Sequence, residues 1–188
     1  MILLIDNFDS FSYNLYQMIG AINPDIRVVR NNELSVEDVR ALAPSHIVLG
    51  PGPGRPEDAG ITMDVARTVS TEIPTLGVCL GEQAICAAYG ATVTYADSLM
   101  HGKQSDVTFD TNSVLFRGCP QVELVARYHS LVADASTLPD DLRVTGATAT
   151  GEVMAVEHTR YPIYGVQFHP ESILTPNGEK MIRNFLAL

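Results

Sequence analysis

Along the first half of the chain, short runs of continuous apolar residues alternate with segments of helical period, the pattern of strands feeding helices. Residues 2–5 (ILLI) are one such run, which marks a strand buried on both faces, and a helix is predicted over about residues 10–19, ending near Gly20. Residues 26–30 predict a second strand, followed by a helix opened by Ser35. A third strand at 46–49 runs into a Gly- and Pro-rich loop and a helix through Val65; a fourth at 75–78 turns into an alanine-rich helix that stops at Gly90. This alternation predicts an α/β fold, a three-layer, doubly wound, mostly parallel sheet. Beyond Ala91 the period changes. VTFDTNSVLF, VELVARYHSLV, LRVTGATATGEVMAVEH and YPIYGVQF read as short strands separated by turns, an antiparallel extension carrying part of any site. In the closing GEKMIRNFLAL, Met181, Ile182, Phe185 and Leu186 share one face of an amphipathic helix, as core packing requires.

Composition narrows the class. With 188 residues, 46% of them hydrophobic, and glycine and proline spread evenly, the chain has material for one sizeable core and no linker to divide it, so a single domain over 1–188 is expected. The formal charge of −10, without a cluster of Lys and Arg, argues against nucleic acid or an anionic membrane as partner. The N-terminal apolar run is broken by Asp6, far short of a signal sequence or a membrane span. Three cysteines without a CxxC give neither a disulfide framework nor a zinc motif, which fits a cytoplasmic location. Cys86, two helical turns beyond Cys79, suits packing.

Three segments carry candidate chemistry. In LGVCLGEQAICAAYG (76–90), Cys79 falls where an apolar strand must turn sharply into a helix. Such an elbow lifts the thiol clear of the sheet and aims backbone N–H groups and the helix dipole beside the sulfur, favouring thiolate and oxyanion alike. Most free cysteines are inert core residues, so Cys79 needs a base. YPIYGVQFHPESIL supplies one: a strand over 163–168 ends at His169, Pro170 keeps that histidine extended, and Glu171 is close enough to orient the imidazole. In a parallel sheet, sites form at the C-terminal ends of strands, so two distant strand ends can meet in one cleft. The third segment, HIVLGPGPGRPEDAG (46–60), offers a rigid loop with accessible amides; no GK[ST] follows, so it is not a phosphate loop.

In this order and spacing, these segments resemble the class I, triad-type glutamine amidotransferases, a flavodoxin-like fold, and in particular the branch of anthranilate synthase small subunits. The resemblance runs from LLIDNFDSFSYNL (3–15) through PGPGRPEDAG, GVCLGEQAI, MHGK (100–103) and RYHSLV (127–132) to GVQFHPESIL (165–174). It implies Cys79 as nucleophile, His169 as general base and acid, and Glu171 as its orienting partner. It further implies an oxyanion hole from the amides of Gly52 and Leu80, and a glutamine site formed by Gly52, Pro53, Gly54, Gln83, His129 and Ser130. The implied partner is a chorismate-binding synthase large subunit that receives ammonia from L-glutamine, makes anthranilate for tryptophan, and holds Mg2+ itself, with no cofactor on this chain. PGPG, GEVMAVEH and HPESILT lean toward anthranilate over the folate-path aminodeoxychorismate synthase.

One position departs from the branch pattern: GVCLGHQ here reads GVCLGEQ. Glu82 is expected to point to solvent and complement the helix dipole, since a carboxylate facing Cys79 would oppose thiolate formation. The rival readings are a non-catalytic docking subunit silenced by Glu82 and a stand-alone cysteine hydrolase. Among the other polar residues, His129 reads as substrate binding or structure within a strand, and His158 as a solvated strand end. His46 and His101 lack metal-ligand spacing, so no metal is assigned. Lys103 reads as a surface charge, near the subunit contact by resemblance. Asp6, Asp9 and Ser10 read as turn-formers and caps for the next helix.

Overall fold

The computed structural model describes residues 1–96, 100 and 102–188. His101 therefore lies outside the described residues. The first half alternates as its periodicity predicts: β1 (Ile2–Asp6), α1 (Ser12–Ile22), β2 (Ile26–Arg30), α2 (Val36–Leu42), β3 (His46–Leu49), α3 (Thr62–Thr68), β4 (Thr75–Val78) and α4 (Leu80–Ala88). The second half adds β5 (Val93–Tyr95), β6 (Lys103–Phe109), β7 (Val122–Arg127), β8 (Leu131–Ala133), β9 (Leu142–Thr148), β10 (Val153–His158), β11 (Ile163–Val166) and α5 (Gly178–Leu186).

Among the described residues, nine strands form one sheet in the order β2-β1-β3-β4-β11-β10-β9-β6-β7, and β5 and β8 pair separately. β2, β1, β3, β4 and β11 are mutually parallel, whereas β10, β9, β6 and β7 continue the sheet antiparallel. The placement of β11 decides where the site forms. It lies beside β4 in parallel register, Val166 opposite Val78, although the two strands are far apart in the chain. Parallel neighbours so distant in sequence need a long crossover, and β5 to β10 provide it.

Apolar side chains fill both faces of the sheet. Leu4, Val48, Leu76, Val166 and Phe168 pack against Leu15, Ile19, Met181 and Phe185 in one cluster; Leu3, Ile5, Ile47 and Leu49 pack against Val39, Val65 and Ile85 in another. The predicted face of α5 is thereby accounted for: Met181, Ile182 and Phe185 are buried, and Leu186 packs on their margin. Ser35 caps α2 through a capping box with Asp38, as its position suggests.

Several expectations need correction. Helix α1 starts at Ser12 and runs through Gly20 to Ile22, because a single glycine costs a helix only about 1 kcal/mol and the apolar face continues past it. The strand expected over 163–168 ends at Val166. VELVARYHSLV is two strands broken at Tyr128, His129 and Ser130, so His129 stands in the break. Asp6 and Asp9 do form the turn before α1, with Asp6 accepting from Asp9 N–H and from Ser12 Oγ; Phe11, rather than Ser10, occupies the cap position. His158 ends β10 as expected but is buried. Its Nδ1 accepts from the amides of Arg160 and Tyr161, and its ring packs against Tyr89.

Candidate functional site

Cys79 is the single residue joining β4 to α4, and it takes φ 55° and ψ −105°, a conformation that costs a non-glycine residue of order 1–3 kcal/mol. The elbow is held from below: Cys79 N–H donates to Val166 O on β11 (2.8 Å). Leu80 is the first residue of α4, so its amide belongs to the group that helix geometry leaves without an intrahelical acceptor.

His169 leaves the end of β11, three residues beyond the Val78–Val166 register pair. Its backbone is pinned to β7: His169 N–H donates to Ala126 O (3.0 Å), and Thr175 Oγ1 donates to His169 O (2.8 Å). Glu171 Oε1 accepts from His169 Nδ1 at 2.6 Å, both side chains buried. The rings of Phe11 and Tyr128 lie 5.1 and 5.2 Å from the imidazole and shield it from water. Burial alone would push the His169 pKa down; hydrogen bonds to Cys79 and Glu171, with their negative charges, outweigh it and lift the value to about 10. At neutral pH the ring is therefore an imidazolium, with the Glu171 carboxylate behind it and the Cys79 sulfur in front.

Gly52, Pro53, Gly54, Cys79, Gln83, Tyr128, His129, Ser130 and Leu131 line an open cleft of about 400 Å³. The structure thus brings the sequence-predicted glycine-loop, thiol and RYHSLV residues to one wall-to-wall site. A hollow of about 560 Å³ between α1 and β2 is larger, but neither a thiol nor an imidazole lines it.

The ring of His129 is fully engaged by the protein. Arg127 Nε–H donates to His129 Nε2 (3.1 Å), which fixes the proton on Nδ1, and Nδ1–H donates to Leu131 O (2.8 Å). Burial, the Arg127 charge and the His169 charge together lower its pKa to about 4, despite the bond to Leu131. His129 is therefore neutral and unsuited to act as a second base, and its segment can reach a ligand through the backbone. Arg127, which sequence reasoning missed, is 3% exposed and bound to Ser105 and, at 2.8 Å, to Glu152. No local signal marks its burial, since Ser105 and Glu152 come beside it only through the antiparallel extension. Gln83 Nε2 donates to Leu131 O and Gln167 Oε1, which leaves its carbonyl as the group it can offer a ligand.

Glu82 does not point to solvent. It is completely buried, lying against the paired glycines of β4 and β11: a Cβ on Gly165 would come within 2.7 Å of Glu82 Cγ, and Gly165 is opposite Gly77. Glu82 Oε1 accepts from Cys86 Sγ, and Oε2 has no partner among the described residues. Burial raises its pKa to about 8, so at neutral pH it is an uncharged acid. The feared repulsion of the thiolate is removed by neutralisation, not by distance from the core. Cys86 is buried, consistent with packing.

Residues 3–188 match the family described as Glutamine amidotransferase class-I. The chain belongs to the class I glutamine amidotransferases. It is 46% identical to the bifunctional protein TrpGD of Thermotoga maritima over all of its own length, and spans about a third (32%) of that protein. It is 44% identical to the aminodeoxychorismate/anthranilate synthase component 2 of Bacillus subtilis, covering 99% of this chain and 95% of that one. Among solved structures, a Thermoplasma acidophilum protein described as a candidate GMP synthase subunit superposes with TM-score 0.85 at 26% identity, covering 99% of this chain and 92% of the other. Among the described residues, no helix is long and apolar enough to cross a membrane, and no group of three or more His, Cys, Asp or Glu could hold a metal ion.

Proposed function

We propose that this chain is the glutamine-hydrolysing subunit of a chorismate-utilising synthase, with Cys79 as nucleophile, His169 as acid and base, and Glu171 as the group that orients His169. The observation that carries this reading is the strained Cys79 elbow at the end of β4, set beside a His169–Glu171 pair hanging from the adjacent parallel strand. The Cys79 thiolate adds to the side-chain amide carbon of L-glutamine. The amides of Gly52 and Leu80 meet the oxyanion, a contribution of about 2.7–4 kcal/mol per donor. His169 gives its proton to the amide nitrogen, the C–N bond breaks and ammonia leaves. A γ-glutamyl thioester remains; His169 takes a proton from water, hydroxide adds, and glutamate departs with Cys79 regenerated. Pro53, Gly54, Gln83 and the backbone of His129 and Ser130 hold the glutamine.

Ammonia protonated in bulk water is no longer a nucleophile, so the reaction calls for a partner that takes it up directly. In this reading that partner is a chorismate-binding large subunit, which carries any Mg2+ the synthase uses. Anthranilate is the proposed product, favoured by the PGPG, GEVMAVEH and HPESILT segments. Aminodeoxychorismate is the second reading, because the Bacillus subtilis relative is named for both syntheses.

The test combines this chain with a purified anthranilate synthase large subunit, chorismate and glutamine, beside an ammonia-only control and a Cys79→Ser variant. Glutamine-dependent anthranilate that disappears with Cys79→Ser is the expected result. A working ammonia control without glutamine-dependent product overturns the anthranilate assignment and moves the assay to the folate-path large subunit.

A further inference from the structure

Asn7, in the loop that leaves β1, has no part in the chemistry above, yet it touches the site. Asn7 is 2% exposed. Its Nδ2–H donates to Gly50 O at 2.8 Å. Its Oδ1 accepts from Asn31 Nδ2–H (2.9 Å) and from Thr62 Oγ1–H (2.8 Å), both donors buried. Asn31 is held in turn, its N–H donating to Asp6 O and its carbonyl accepting from Ile61 N–H, each at 3.0 Å. One side-chain amide therefore ties the loops after β1 and β3 to the start of α3. Gly52 rests directly on it: a Cβ there would lie 2.5 Å from Asn7 Cβ, 2.6 Å from Asn7 O and 2.7 Å from Leu80 Cδ2. Nothing larger than glycine fits between Asn7 and the α4 elbow.

We infer that Asn7 is a positioning residue of the oxyanion hole, its amide fixing the 50–54 loop so that the Gly52 N–H faces the carbonyl oxygen of a substrate bound at Cys79. The inference rests on the proposed role of Gly52. Removing the Asn7 amide frees the Gly50 carbonyl and leaves Asn31 and Thr62 donating into an empty space, so the loop gains room to turn its amide away. Such a change acts on the charge that develops in the transition state and much less on bound glutamine. A merely structural asparagine would instead weaken the fold, binding and thiol reactivity together.

Asn7→Ala and Thr62→Val are to be compared with the wild type in the presence of the large subunit, measuring glutamine hydrolysis and, separately, the rate at which iodoacetamide alkylates Cys79. Alkylation displaces iodide at a saturated carbon and develops no oxyanion. For Asn7→Ala the expected outcome is a fall in kcat of about 10- to 100-fold with KM changed by less than about threefold and alkylation within about twofold. Thr62→Val removes only one of the two donors to Asn7 Oδ1; it shows the same split with a smaller loss and serves if Asn7→Ala does not fold. Unchanged kcat in both variants overturns the inference, as does alkylation that falls in step with kcat. A wild-type chain whose Cys79 alkylates readily but which hydrolyses no glutamine overturns the underlying reading, and the inference with it.

Discussion

Glu82 carries an unusual load for one residue: a carboxyl with no exposed surface, one oxygen on Cys86 and the other without a partner among the described residues. Its folded pKa of about 8 lies above the ordinary 4.5, so between those values the folded chain holds a proton that the unfolded chain has released. Stability is therefore highest below pH 4.5 as far as this group is concerned, and falls as pH rises toward 8, by up to about 1.4 kcal/mol per pH unit. Glu82→Gln removes the ionisation while keeping the shape. Urea unfolding at pH 5 and pH 8 is expected to show a smaller alkaline loss for Glu82→Gln, and a variant more stable than the wild type at pH 8 by more than about 1 kcal/mol. Equal pH slopes for the two proteins would contradict the assignment of a buried, protonated acid.

The elements that frame the cleft are short and braced by close backbone approach. Helix α5 begins at Gly178, where any side chain would collide with the carbonyl of Pro170, the residue between His169 and Glu171. The start of α5 thus sets the height of the imidazole turn. Gly178→Ala is expected to cut glutamine-dependent turnover more than about tenfold while the far-ultraviolet circular dichroism stays near that of the wild type, because a displacement of about 1 Å at a reacting group is enough. The strands of the first half were legible because their signals are local: short apolar stretches closed by polar or turn-forming residues, as Asp6 and Asn7 close β1, Asn31 and Asn32 close β2 and Gly50 closes β3. The thiol, the imidazole and the glycine loop were legible for the same reason, each lying at a strand end marked by its own neighbours. Glu82 was not, since its burial depends on Gly77 and Gly165 pairing across two strands distant in sequence. Asn7 and Arg127 escaped likewise: their partners, Gly50 and Thr62 for one and Glu152 for the other, are brought near only by the completed sheet.

At the scale of the molecule, the long excursion from β5 to β10 leaves the parallel sheet after α4 and returns to it as β11. Its outer turns are far from the cleft in connectivity, and the exposed pair Thr111 and Asn112 lies in one of them. Inserting three Gly/Ser residues after Thr111 is expected to leave kcat/KM for glutamine within about twofold, since a lengthened surface loop adds little closure entropy. A large drop would mean that this turn takes part in catalysis. That tolerance has its origin in the adjacency of β4 and β11. The strands that carry the thiol and the imidazole are held apart by the repeat of backbone hydrogen bonding, roughly 4.7–4.9 Å from strand to strand, whatever the side chains of the outer turns. The chain can therefore lengthen or redecorate the outer turns of the excursion while a ruler made of peptide bonds keeps the two reacting strands side by side.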